Sequence, residues 1–116
     1  MPPPLLDQDD IDRALGGLHP GWRGTPARLR RGIVFADFPT AVRFVDGAAV
    51  VAEELDHHPD VLIRWRTVDL ALSTHSAGGV TRLDVELAGR LDTVAAALPQ
   101  AGKAPAAVPA GLFAEP

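Results

Sequence analysis

Residues 37–74 read DFPTAVRFVDGAAVVAEELDHHPDVLIRWRTVDLALST, and within this stretch the spacing of apolar residues changes from that of a helix to that of a β-strand. In the first half, apolar residues recur every three or four positions, which predicts an amphipathic helix. They are Phe38, Ala41, Val45, Ala48, Ala52 and Leu55. Asp37 is suited to cap the N-terminus of this helix, and Pro59 predicts that the helix stops near His57 and His58. Gly47 costs such a helix about 1 kcal/mol relative to alanine.

The second half of the stretch alternates with a period of two between Val61 and Thr74. This pattern predicts either two short antiparallel strands or one long kinked strand. Asp69 interrupts an otherwise apolar segment, so we expect it on a solvated face. Both tryptophans, Trp22 and Trp65, are expected in the core.

The flanking sequence adds further helices and strands. Asp7 and Asp10 have the spacing of a capped helix N-terminus, Gly16 ends that helix, and residues 22–36 indicate a pair of strands. Thr81 is a natural cap for a last helix that ends before Pro99. The apolar stripe of that helix comprises Leu83, Leu87, Leu91, Val94 and Leu98.

The order helix, strands, helix, strands, helix predicts an α+β fold: a small antiparallel β-sheet of about four strands with three helices packed on one face. We expect one domain over residues 1–98. Residues 99–116 are rich in proline and alanine, and we expect a flexible tail there, with Leu112 and Phe113 as the residues that dock onto the domain.

Composition narrows the function classes. The chain has 116 residues, enough for one domain, and its 11 basic against 15 acidic residues give a formal net charge of −4, which argues against nucleic acid as the principal partner. The absence of cysteine excludes thiolate catalysis, disulfides and sulfur-ligated metal sites. There is no long apolar run and no visible secretory signal, so we expect no membrane association and a cytoplasmic location.

The segment from Glu53 to Asp60 is dense in groups that transfer protons, and it falls at a helix C-terminus. Helix-end carbonyls and neighbouring carboxylates favour the protonated form of His57 and His58. His75 follows the second strand run, and we expect all three histidines to converge on one pocket. Histidines in such a setting serve as general acids or bases.

Each of these residues also has a purely structural interpretation. His57 and His58 can bind the last helix carbonyls, His75 can be a surface residue at a strand end, and Asp84 can complete a capping box with Thr81. Zinc binding is a further alternative, although adjacent histidines do not have the spacing of the helical zinc-protease pair. No Gly-x-Ser-x-Gly motif supports a serine hydrolase.

The ordered motif Glu53-x-x-x-His57-His58-Pro59, Trp65, Thr74-His75, Gly78-Gly79 and Asp84 resembles the pterin-4a-carbinolamine dehydratases. The resemblance extends through Gly21-Trp22 and residues 35–38, and it covers roughly residues 5–98. It implies a small antiparallel sheet with helices on one face and the dehydration of 4a-hydroxytetrahydrobiopterin to quinonoid dihydropterin and water.

The same resemblance implies a set of site residues and no metal or other cofactor. Catalysis would fall to His57, His58, His75 and Asp84. The substrate pocket would be lined by Glu53, Asp56, Trp65, Ser73, Thr74 and Ser76. The chain departs from the animal enzymes in having Ala77 where they have cysteine, and Leu83 where an arginine commonly precedes the motif aspartate.

Two further expectations concern partners. Family members form dimers and tetramers, so the resemblance implies a homodimer or homotetramer of a bacterial enzyme that acts in tetrahydrobiopterin recycling. Animal members also bind a homeodomain transcription factor. The alternative function is therefore a non-catalytic, dehydratase-like binding or coactivator module that acts through a helix surface.

Overall fold

The structure, a computed structural model, describes residues 1–101 and consists of a four-stranded antiparallel sheet with three helices, which confirms the predicted α+β fold. The helices are α1 (Gln8–Leu15), α2 (Phe38–Leu55) and α3 (Arg82–Ala96), and the strands are β1 (Arg23–Gly24), β2 (Leu29–Val34), β3 (Asp60–Arg64) and β4 (Thr67–Leu72). The strand order is β1-β2-β4-β3, which leaves β3 at an edge of the sheet. No helix within the described range is long and apolar enough to span a membrane.

Helix α2 has the start predicted from the sequence and ends slightly earlier than expected. The Asp37 carboxylate accepts hydrogen bonds from the Thr40 hydroxyl and from the Thr40 N–H, the latter at 2.8 Å, and these two bonds lower the pKa of Asp37. At the other end Asp56 adopts a left-handed conformation with φ of 49°, and the His57 N–H donates to the Ala52 carbonyl. The chain therefore leaves the helix at Asp56, and both histidines lie in the segment that leads to β3.

Residues 60–72 form two antiparallel strands, which decides between the two predicted alternatives. Trp65 occupies the turn between them with a positive φ of 53°, and its side chain is 70% exposed. The Arg66 guanidinium packs over the indole, 4.6 Å from the ring centroid. The expectation of a core position is confirmed for Trp22 and wrong for Trp65. The indole is exposed because it lies at the hairpin turn, beyond the part of the sheet that the helices cover.

The core lies between the sheet and the helices. It includes Leu29 and Ile33 from β2, Val68 and Leu70 from β4, and the rings of Phe35 and Phe44, which are tilted by 31° with their centroids 5.1 Å apart. The prediction that Phe38 lies on the buried stripe of α2 is wrong, because Phe38 is exposed at the first turn and Phe44 fills the core instead.

Asp69 also departs from expectation. It is fully buried rather than solvated, because the Arg64 side chain covers it and donates to its carboxylate from Nε at 2.9 Å. A neighbouring guanidinium thus supplies a partner for Oδ2 of this buried carboxylate.

Helices α2 and α3 approach closely at Gly47. A Cβ atom at this position would lie 2.7 Å from Cγ1 of Val94, well inside van der Waals contact. The glycine that weakens the helix in isolation is therefore required by helix packing.

Asp92 of α3 is the centre of a polar network that the sequence did not reveal. Its carboxylate accepts from Arg31 at 2.5 Å, from the indole N–H of Trp22 at 2.7 Å and from the backbone N–H of His19 at 2.8 Å. Arg31 is only 1% exposed, and burial lowers the pKa of its guanidinium while Asp92 opposes that shift. Burial also lowers the pKa of His19, and the Arg31 charge adds to this effect.

The chain beyond α3 continues along the sheet. The Ala36 N–H donates to the Pro99 carbonyl at 3.0 Å, and the Ala101 N–H donates to the Val34 carbonyl at 2.9 Å. Residues 102–116 lie outside the described residues, so the predicted flexible tail and the docking of Leu112 and Phe113 stay predictions.

Candidate active site

His57 and Asp84 form the hydrogen bond that joins the end of α2 to the start of α3. The His57 Nε2 atom lies 2.6 Å from Oδ1 of Asp84. The carboxylate has no solvent exposure, whereas the imidazole keeps 11% of its side-chain surface accessible. Since a carboxylate only accepts, Nε2 carries the proton in this arrangement.

The other oxygen of Asp84 fixes the carboxylate in place. Oδ2 accepts the Thr81 N–H at 2.9 Å and the Thr74 hydroxyl at 2.8 Å. Because the Thr74 proton is used in this way, the Thr81 hydroxyl donates to Thr74 Oγ1 across 2.7 Å. The predicted capping box is present, and the structure shows that Asp84 contacts a histidine as well.

His58 points away from this buried group. Its Nε2 pairs with the carboxylate of Glu53 in the last turn of α2, and both side chains are mostly exposed. His58 also lines an apolar groove of about 190 Å³ with Val45, Pro59 and Val61. Within residues 1–101, His57 and His58 each form a side-chain hydrogen bond through Nε2 and not through Nδ1. Nδ1 of each ring can therefore exchange a proton with a ligand or with water.

His75 lies directly after Thr74, in a short 3₁₀ turn of residues His75–Ala77. It lines an open cavity of about 240 Å³ together with Ser73, Asp60 and Arg28. Thr74 connects the His57–Asp84 pair to this cavity, because its hydroxyl donates to Asp84 and the next residue, His75, lines the cavity. The residues that line this cavity include His75 and neither His57 nor His58, and the convergence of the three histidines on one pocket stays a prediction.

The remaining predicted site residues are distributed unevenly. Glu53 contacts His58, Ser73 lines the cavity and Thr74 supports Asp84. Asp56 is exposed at the C-cap of α2, and Ser76 is exposed in the 3₁₀ turn. Trp65 lies at the opposite end of the β3–β4 hairpin, roughly 20 Å along the strands from Ser73, so this chain does not bring Trp65 to the other residues.

The arrangement suits proton transfer. A carboxylate held by two further hydrogen bonds orients the His57 ring and stabilises the positive charge that forms when the ring takes up a proton. Within residues 1–101, no group of three or more histidine, aspartate or glutamate side chains is placed to hold a metal ion.

Sequence reasoning missed three residues that belong to this region. Thr81 was assigned only a capping role, and Arg28 and Asp60 were not assigned to the cavity beside His75. The signal that would have found the last two is the strand register, which places both the start of β3 at Asp60 and the start of β2 next to Arg28 beside the end of β4. The sequence is compatible with either one long strand or two short strands between Val61 and Thr74, so it does not define this register.

Comparison with known proteins gives three findings. The family model described as "Pterin 4 alpha carbinolamine dehydratase" matches residues 4–94. A protein of Mycolicibacterium smegmatis named "Putative pterin-4-alpha-carbinolamine dehydratase" is 46% identical over 90 residues, which are 78% of this chain and 95% of the relative. A protein of the same name from Mycobacteroides abscessus is 49% identical over 89 residues, 77% of this chain and 94% of the relative.

Two solved structures are also similar. The crystal structure of a transcriptional coactivator/pterin dehydratase from Brucella melitensis has a TM-score of 0.73 and 38% identity, and the match covers 78% of this chain and 97% of that one. A pterin dehydratase-like protein identified as a RuBisCO assembly factor in the alpha-carboxysome has a TM-score of 0.54 and 23% identity, and covers 64% of this chain and 86% of that one, which shows a shared fold.

Proposed function

The chain belongs to the pterin-4a-carbinolamine dehydratase family, and from this premise we propose that it is a hydro-lyase that dehydrates 4a-hydroxytetrahydrobiopterin. The products are quinonoid dihydropterin and water. The observation that carries the proposal is the hydrogen-bonded chain from His57 through Asp84 to Thr74, which ends next to His75. A capping box alone needs only one carboxylate oxygen, whereas here the second oxygen orients an imidazole.

The chemistry requires two proton transfers. The C4a–O bond breaks and the hydroxyl takes a proton as it leaves as water, while the N5 proton is lost and the N5=C4a double bond forms. Hydroxide is a poor leaving group, so the proton donor is essential. Each positioned acid or base contributes about 10² to 10⁴ in rate, or roughly 3 to 5 kcal/mol.

The histidines are assigned as follows in this proposal. His57, oriented by Asp84, and His58, paired with Glu53, are the leading acid and base. His75 assists from the cavity that it shares with Ser73, where the pterin ring lies. Asp56, Thr74 and Ser76 complete the proposed substrate site, and Trp65 lies outside it because it is roughly 20 Å from Ser73 along the hairpin. The proposed reaction uses neither metal nor other cofactor.

A stopped-flow measurement of carbinolamine loss tests the proposal. Purified protein is expected to accelerate the loss over buffer alone, and the His58→Ala variant is expected to be slower than wild type. No acceleration by wild type would overturn the enzymatic function, while full activity of the variant would overturn only the assignment of His58. Elemental analysis of the active protein tests the metal-free reaction, which stoichiometric zinc would contradict.

The structure also bears on assembly. Val42 and Val50 on α2 and Ile63 on the edge strand β3 are large, exposed apolar residues, and such residues at unpaired edges favour association. We therefore retain the homodimer or homotetramer as the proposed state, which analytical ultracentrifugation tests. The cytoplasmic location and the place in tetrahydrobiopterin recycling stay predictions from the sequence.

The second candidate function, a binding or coactivator module, is favoured by the same exposed face of α2, where Phe38 adds to the valines. The two functions differ in what they require. A binding module tolerates loss of His57 and Asp84 but not of the α2 surface. Partner capture by the Val42→Asp variant, compared with that by His57→Gln, separates them.

A further inference from the structure

Asp60 lines the open cavity of about 240 Å³ beside His75 and takes no part in the proton transfers proposed above. Two other carboxylates of this region, those of Glu53 and Asp84, each pair with a histidine. Within residues 1–101, by contrast, no hydrogen bond or ion pair engages the Asp60 carboxylate. The described part of the chain thus leaves both oxygens of this carboxylate to a ligand in the cavity.

The register of the sheet determines where the Asp60 side chain lies. Asp60 begins β3 directly opposite Ala71 of β4, so the two side chains leave the same face of the sheet, and both line the cavity. Ser73 follows Ala71 by two residues, roughly 7 Å further along the chain, and His75 comes next in the 3₁₀ turn. The polar side chains therefore line the cavity in the order Asp60, Ser73, His75.

These three side chains offer different hydrogen-bonding groups to a ligand. An ionised carboxylate accepts two hydrogen bonds, a serine hydroxyl donates one, and a histidine ring donates or accepts. Like Asp60, the side chains of Ser73 and His75 have no hydrogen bond within the described range. The cavity therefore suits a flat ligand whose edge presents two donors at one end, then an acceptor, and an exchangeable proton at the other end.

From this order we propose that Asp60 binds the pyrimidine edge of the pterin, accepting hydrogen bonds from N3–H and from the 2-amino group, and so selects substrates that carry this amino group. The proposal rests on the proposed dehydratase function and adds a residue that determines its substrate specificity. Along the edge of a pterin, the 2-amino group and N3–H are followed by the carbonyl O4 and then by C4a and N5, where the reaction takes place. With Asp60 at the amino end, Ser73 donates to O4 and His75 lies nearest to C4a.

This orientation agrees with the position of the proposed acid–base groups. Thr74 immediately precedes His75, and its hydroxyl donates to Asp84. Asp84 in turn bonds His57, so the His75 end of the cavity is the end that adjoins the His57–Asp84 pair. The reversed orientation would place C4a beside Asp60, and an ionised carboxylate cannot supply the proton that the leaving hydroxyl requires.

A binding measurement tests this specificity without catalysis. The probes are 7,8-dihydropterin and 7,8-dihydrolumazine, which has a carbonyl group at C2 in place of the amino group. Wild type is expected to bind the dihydropterin about 10- to 100-fold more tightly, because the carbonyl turns an acceptor toward the carboxylate and a charge-assisted hydrogen bond is lost. The amide NH₂ of an Asp60→Asn variant can donate to that carbonyl, so this variant is expected to bind the dihydrolumazine more tightly than wild type does and to lose or reverse the preference.

Two further variants serve as controls. Asp46→Asn removes the same charge from an exposed position on α2 that lines neither this cavity nor the apolar groove beside His58, and it is expected to keep the wild-type preference. Asp60→Ala has neither donor nor acceptor, so it should lose the preference without gaining affinity for the dihydrolumazine. Asp60→Ala also replaces Asp60→Asn in the comparison if the latter does not fold.

The kinetics of carbinolamine dehydration supply a second measurement. Asp60→Asn is expected to raise KM by about 10- to 100-fold and to leave kcat within about threefold of wild type, because Asp60 binds a part of the substrate that does not react. The pH dependence of kcat should stay that of wild type, since the proton-transfer groups are unchanged.

The outcomes separate this proposal from the dehydratase function. Equal binding of the two probes by wild type, binding of neither, or an unchanged preference in Asp60→Asn overturns the assignment of Asp60. A large fall in kcat at unchanged KM in Asp60→Asn also overturns it, because Asp60 would then act in the chemical step. A protein that distinguishes the two probes through Asp60 but does not accelerate carbinolamine loss keeps the pterin-binding residue and overturns the dehydratase function.

Discussion

Replacement of Asp84 by asparagine removes one charge from the centre of the site and leaves its shape intact. The Thr81 N–H and the Thr74 hydroxyl both donate to the same oxygen of Asp84, so the amide oxygen of asparagine has to face them. The amide NH₂ then faces His57 Nε2, which lies 2.6 Å from the carboxylate in the wild type. This nitrogen has to become an acceptor, and the ring proton moves to Nδ1.

The cost follows from that change of tautomer. The asparagine no longer stabilises a positive charge on His57, and Nδ1, which accepts a proton in the wild type, is already protonated in the variant. Loss of a positioned acid or base costs about 10² to 10⁴ in rate, and an aspartate-to-asparagine change beside the histidine of a serine protease costs about 10⁴. We expect kcat/KM to fall by about 10² to 10⁴, or roughly 3 to 5 kcal/mol of transition-state stabilisation.

Stopped-flow dehydration kinetics, combined with thermal unfolding, measure this effect. Asp69→Asn is the matched control because Asp69 is also fully buried and bonded to a cationic side chain, Arg64, and it lines neither the cavity beside His75 nor the apolar groove beside His58. Asp69→Asn should lose stability and keep activity at temperatures where it is folded. A folded Asp84→Asn variant with activity within about twofold of wild type would refute the reasoning.

Three further predictions concern stability. Gly47→Ala should lower the free energy of unfolding by about 1 kcal/mol, because overpacking against Val94 costs about 1–3 kcal/mol and alanine returns about 1 kcal/mol of helix propensity. In a Val94→Ala background, denaturant unfolding should show that Gly47→Ala is stabilising. A gain in stability from Gly47→Ala in the wild-type background would contradict the close approach of the two helices. Asp92→Asn leaves Arg31 buried without a carboxylate and should cost about 3–5 kcal/mol in thermal unfolding, so a loss under about 1 kcal/mol would show that the pair is not buried in solution. Burial lowers the pKa of His19 below its ordinary 6.5, so the unfolded state binds more protons and stability decreases as the pH is lowered from about 8 to about 5.5. His19→Asn keeps an acceptor for the Gly21 N–H and should reduce this difference in unfolding free energy; an unchanged difference would contradict the shift.

Much of the fold could be predicted because its signals are local. The caps at Asp7, Asp37 and Thr81 each bind backbone donors two or three residues along the chain, and the change from helical to alternating periodicity after Pro59 marks where α2 gives way to β3. Such features depend on a few neighbouring residues, so they can be read from one sequence.

The features that escaped prediction depend on partners distant in sequence. Asp69 is buried because the hairpin turn brings Arg64 back over it, and Asp92 meets Arg31 only after β2 and α3 pack together. Likewise Asp84 was recognisable as a cap, but its contact with His57 joins residues 27 positions apart. The motif identified the candidate residues of the site, and the fold was needed to show which of them touch.

The most direct test of the account is a double-mutant cycle on kcat/KM for carbinolamine dehydration with His57→Gln, Asp84→Asn and the double variant. If Asp84 acts through His57, the double variant should be no slower than the slower of the two single variants, because residues that act as one unit show non-additive losses. Losses that multiply, with the double variant slower by the product of the two single effects, would contradict a single His57–Asp84 unit.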